Sequence, residues 1–87
     1  MPTYSSVLRN SLDSYLLKLK DILDTCATLR TDFEDSLTQD FYYWQMYRSN
    51  SLVFFNSVSN IQRNVIRAID VLDKIRYANE NLNSSEN

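Results

Sequence analysis

The sequence predicts an all-α chain: two long antiparallel helices, a coiled-coil-like helical hairpin that completes a helical bundle with partner chains. Three observations predict it. The 87 residues include no glycine and one proline, so tight β-hairpins lack their usual turn residue and little forces a helix to stop. Apolar residues recur at steps of four and three in both halves of the chain, the period of one helix face. A single cysteine and no histidine provide neither an internal disulfide nor a zinc site to staple a small non-helical fold.

The first helix is predicted over about residues 5–37. Its apolar positions are Leu8, Leu12, Tyr15, Leu19, Ile22, Cys26, Leu29 and Phe33, a filled heptad seam. Leu16, Leu23 and Leu37 lie beside the seam and widen the stripe. Ser5 or Ser6 supplies the first cap, because a serine oxygen accepts from an orphan backbone N–H.

Residues 38–50 form an aromatic connector. Its best turn signal is Arg48-Ser49-Asn50-Ser51, with Asn50 able to take the left-handed conformation in place of glycine. Thr38-Gln39-Asp40 is a weaker break. No proline lies in the connector, so one continuous helix is the competing reading. It would put Asp40 and Ser51 on the seam.

The second helix is predicted over about residues 51–80. Phe54, Val58, Ile61, Val65, Ala68, Leu72 and Ile75 repeat the steps of four and three, and Asn79 continues the register. The whole of residues 1–82 is expected to be one domain. Residues 83–87 are expected to form a disordered polar tail.

Two helices bury only their facing stripes, and a chain this short is rarely stable from one core without a staple or a partner. In an isolated hairpin Leu16, Leu23, Leu37, Phe55, Ile66, Ile69 and Val71 are expected to stay partly wet. Association with other helical chains, self or foreign, follows. The seam residues expected to carry it are Leu12, Tyr15, Leu19, Ile22, Cys26, Leu29, Phe33, Phe54, Val58, Ile61, Val65, Leu72 and Ile75.

Seven of the eleven aromatics fall between residues 41 and 55. Phe41, Tyr42, Tyr43, Trp44, Tyr47 and Phe55 are therefore the candidate partner-binding residues, since Trp and Tyr dominate interface hot spots. The competing reading is that the rings plug the end of the bundle.

Charge and chemistry exclude more than they suggest. The formal net charge of −2 gives no general pull toward nucleic acid. The ridge of Arg63, Arg67 and Lys74 is short and broken by Asp70. From Asp21 to Asp40 six acids face Arg30 alone. Asp32, Glu34 and Asp35 cluster, but general acid–base work needs a carboxylate shifted by burial, and these fall on the wet side of the helix. Without glycine no phosphate-cradling loop is present. Cys26 lies on the seam and reads as a small buried apolar residue. No enzyme, cofactor, metal or small-molecule substrate is expected. The longest apolar runs are four residues, Phe41–Trp44 and Leu52–Phe55, against about 20 for a membrane span. No secretory signal opens the chain, so an intracellular place, cytoplasmic or nuclear, is the expectation.

Trp44, near mid-chain between two helical halves, carries one resemblance. The layout resembles the WXG100 secretion proteins of Gram-positive bacteria, helical hairpins of similar length with a Trp-x-Gly turn. Met46 stands at the glycine position, and Tyr77 is followed four residues on by Asn81 rather than the acid of a Tyr-x-x-x-Asp/Glu export signal. The resemblance implies an alternative function, a small secreted hairpin acting with a paired partner or toxin. The principal expectation is a non-enzymatic helical interaction or scaffold subunit that assembles through its heptad seams.

Overall fold

A computed structural model describes residues 3–86. The chain is helical almost throughout: α1 spans Ser6–Gln39, α2 Phe41–Met46 and α3 Arg48–Glu86. The molecule measures 65 × 17 × 14 Å. One continuous helix of this length would extend to roughly 130 Å, so the chain is folded back and the single-helix alternative is excluded. α1 and α3 pack against each other, and α2 touches both at the end where they join.

α1 begins where Ser5, in extended backbone, accepts the Leu8 N–H on its Oγ at 3.0 Å. Its far end carries hydroxyls that bond back into the helix. Thr31, Ser36 and Thr38 donate to the carbonyls four residues before them at 3.0–3.1 Å, a pattern that loosens and bends helices.

The reversal differs from the expected one. The chain turns at two corners, Asp40 (φ −131°, ψ 60°) and Tyr47 (φ −108°, ψ 26°). Asn50 lies inside α3, and no described residue has positive φ. The predicted connector therefore contains a six-residue helix. Hydrogen bonds run through both corners, from Asp40 N to Ser36 O, Trp44 N to Asp40 O, Tyr47 N to Tyr43 O and Ser51 N to Tyr47 O, all at 3.0–3.1 Å. With no glycine to make a left-handed turn, two bent helical joints replace it. The far end also differs: α3 runs to Glu86, through most of the segment expected to be disordered. Asn87 lies outside the described residues.

The seam between α1 and α3 uses two columns on each helix. Leu12, Leu19, Cys26 and Phe33 form one column of α1; Leu16, Leu23, Arg30 and Leu37 form the other. Ser51, Val58, Val65, Leu72 and Asn79 form one column of α3; Phe55, Gln62 and Ile69 form the other. All of these are buried or half-buried. The column Leu8, Tyr15, Ile22 and Leu29, which the sequence placed on the seam, is exposed, as are Ile61 and Ile75. Each helix is thus rotated by about 50° from the predicted facing. Leu16, Leu23, Leu37, Phe55 and Ile69, expected at the wet margin, move into the seam, whereas Ile66 and Val71 stay exposed.

Polar pairing makes this rotation affordable. Arg30 Nη1 donates to Gln62 Oε1 across the seam at 3.3 Å, so neither buries an unpaired group. Buried Asn79 exchanges two hydrogen bonds with the Ser5 backbone, donating to its carbonyl and accepting from its N–H, both at 2.9 Å. At the opposite end buried Ser51 returns its hydroxyl to the Tyr47 carbonyl at 3.0 Å.

Candidate functional site

Two surfaces stand out, an aromatic tip and an apolar lateral face. The tip forms where α2 meets the end of the α1–α3 pair. Inside it, Phe33 meets Phe54 at 4.5 Å and Phe55 at 5.2 Å between ring centroids. Ser51 is buried there, and Trp44 lies half-buried with its indole stacked on Phe41 at 5.8 Å. The Trp44 Nε1 is shielded and has no hydrogen-bond acceptor.

Of the six candidate partner-binding residues, Phe55 and Trp44 serve the inner packing. Phe41, Tyr42, Tyr43 and Tyr47 are each more than half exposed, as is Met46. The plug and the outward display are therefore built from different rings. An open groove of about 610 Å³ runs between Arg30, Glu34, Leu37, Thr38, Phe41, Trp44 and Phe55. Trp44, which carries the secretion-protein resemblance, sits within α2, and the chain turns on either side of it at Asp40 and Tyr47.

The lateral face follows from the register. Arg9 Nε lies 3.4 Å from Glu80 Oε1, and Arg76 Nε 3.4 Å from Asp13 Oδ1. The same antiparallel register sets Tyr15 level with Ile75, Ile22 with Ala68 and Leu29 with Ile61. In an antiparallel pair, columns offset from the seam in the same sense on both helices fall on the same side. Leu8, Tyr15, Ile22 and Leu29 therefore share one uncharged face with Ile61, Ala68 and Ile75. The two ion pairs lie on the other side of the seam, with Lys20, Asp73 and exposed Ile66. The predicted assembly seam thus divides. Leu12, Leu19, Cys26, Phe33, Val58, Val65 and Leu72 hold the hairpin together, Phe54 packs on Phe33, and Tyr15, Ile22, Leu29, Ile61 and Ile75 face outward.

Electrostatics are mild. Arg9 is held protonated above its ordinary value, first by a side-chain hydrogen bond with Tyr4 and then by the charge of Glu80. The shielded Glu80 Oε1 sits in ion-pair rather than hydrogen-bond geometry to Arg9. Asp32, Glu34 and Asp35 are exposed. Among the described residues no group of three or more His, Cys, Asp or Glu side chains could hold a metal ion. No helix of the described residues is long and apolar enough to cross a membrane. Sequence reasoning missed the Ser5–Asn79 pairing. The available signal was an Asn continuing a seven-residue column, the position where a polar residue fixes register.

No family model matches the chain, and no curated protein or solved structure gives a significant match.

Proposed function

We propose that this chain is a non-enzymatic helical interaction subunit that assembles with other helical protein chains. One observation carries the reading. Among the described residues the hairpin buries five hydrophobic side chains, none of them completely, while eighteen large hydrophobics stay exposed. The accessible surface is 6727 Å², roughly a quarter more than the area expected of a compact monomer of 10.3 kDa. Elongation accounts for part of that excess. The chemical character of the excess, aromatic at the tip and aliphatic along one side, is that of surface meant to be covered.

Thermal unfolding of the purified chain at several concentrations, with a dye that reports exposed apolar surface, tests this. The expected result is either a midpoint that rises with concentration or strong dye binding. A stable monomer with a fixed midpoint and no dye binding would overturn the proposal.

A further inference from the structure

We infer that the lateral apolar face binds a second copy of this chain, giving a four-helix bundle of two hairpins. This rests on the interaction reading above and specifies its surface and its partner.

The face has the dimensions such a contact needs. From Leu8 to Leu29 it runs roughly 32 Å along α1, and it is two helices wide. Tyr15 is 50% exposed, Ile22 42%, Leu29 44%, Ile61 47% and Ile75 41%, so each is partly covered by the hairpin and partly open. A standard interface takes about 800 Å² from each partner. A stripe roughly 32 Å long and about 20 Å wide covers on the order of 640 Å² in projection, comparable with that share.

The charge pattern selects the occupant. Neither column of the face contains an ionisable group other than the Tyr15 phenol; the edge beyond it carries Ser57, Asn64, Val71 and Ala78 on α3, and on α1 Ser11, Lys18, Thr25 and Asp32, whose one positive and one negative charge sum to zero. An uncharged face gains nothing from an oppositely charged partner and rejects a charged one through desolvation. A second copy presents the same length, width and neutrality. A two-fold axis lying in the plane of the contact superimposes face on face over the full stripe. Both interhelical ion pairs, Arg9–Glu80 and Asp13–Arg76, lie on the opposite side and stay in water. The resulting bundle keeps the aromatic tips outside the new core.

Light scattering behind a sizing column tests the inference, with helicity followed by circular dichroism. The wild-type chain is expected at twice its monomer mass at micromolar concentration. Ile22→Lys and Ile61→Lys should each give helical monomers. Ile66→Lys, on the charged side, should leave the dimer intact. Should a lysine variant lose helicity, Ile22→Ser removes apolar surface without adding charge and should weaken dimerisation by about tenfold or more. A dimer that survives Ile22→Ser and Ile61→Lys would overturn the assignment of this face. A wild-type monomer that binds the apolar dye overturns the second copy as partner and leaves the interaction reading standing. A monomer that binds no dye overturns both.

Discussion

Ser5 and Asn79, 74 positions apart, exchange two hydrogen bonds of 2.9 Å between the Ser5 backbone and the Asn79 amide. The same serine caps α1 through its hydroxyl. One residue thus starts the first helix and fastens it to the last turns of the third. A paired asparagine on a hydrophobic seam permits one register and penalises slipped ones, which would bury it unpaired.

Asn79→Ala should therefore destabilise the hairpin by about 1–3 kcal/mol. A thermal melt should show a midpoint several degrees lower, with each kcal/mol worth roughly 4–8 °C in a chain of this size. Amide hydrogen exchange at Ser5 should accelerate by more than at Val65. Equal acceleration at both would mean that the pair contributes only to global stability.

Phe33 is the hub of the tip, touching both Phe54 and Phe55. Phe33→Ala should cost about 2–4 kcal/mol, toward the low end for a half-buried ring. Tyr42→Ala, at a ring that is 69% exposed, should change stability by less than about 0.5 kcal/mol. Urea unfolding of the two variants separates plug from display. Comparable losses would mean that the outer rings also hold the tip together.

The ion pairs Arg9–Glu80 and Asp13–Arg76 involve side chains 36–48% exposed. Double-mutant cycles on either pair should give less than about 1 kcal/mol. The coupling should shrink further in 1 M salt, where the screening length falls to about 3 Å. A salt-independent coupling would place these pairs in a drier setting than their exposure indicates.

Asn50 lies in the first turns of α3 at negative φ. Asn50→Ala should be neutral or stabilising by a few tenths of a kcal/mol, as alanine is the better helix former. Were Asn50 the left-handed turn residue that the sequence suggested, the same change would destabilise. Chemical denaturation with an error below that difference decides between them.

The helical class, the hairpin and most of the apolar columns are legible from periodicity alone. The facing of the helices is not. Three adjacent columns on each helix are largely apolar, and any neighbouring pair of them could make the seam. The column holding Tyr15, Ile22 and Leu29 looked better than the one holding Arg30, because Arg30 reads as a surface residue until Gln62 is placed opposite it. That match joins positions 32 apart and appears in no local pattern. The corner at Asp40 falls in the weaker break that Thr38-Gln39-Asp40 marked, whereas the one at Tyr47 was hidden, since turn signals are learned from glycine, proline, asparagine, aspartate and serine and tyrosine is none of them. At the tip, the sequence marked the right group of rings but could not divide them. Trp44 and Tyr43 are neighbours in the chain, and only the lie of α2 decides which turns inward.

A reversal made from a six-residue helix has a further consequence. A two-residue turn is mostly backbone, held by φ values that few side chains tolerate. Here every position from Asp40 to Tyr47 carries a side chain on backbone with negative φ. Substitution at Tyr42, Tyr43 or Met46 meets no conformational veto, so the chemistry displayed at this end of the molecule can be rewritten residue by residue while the path of the chain stays the same.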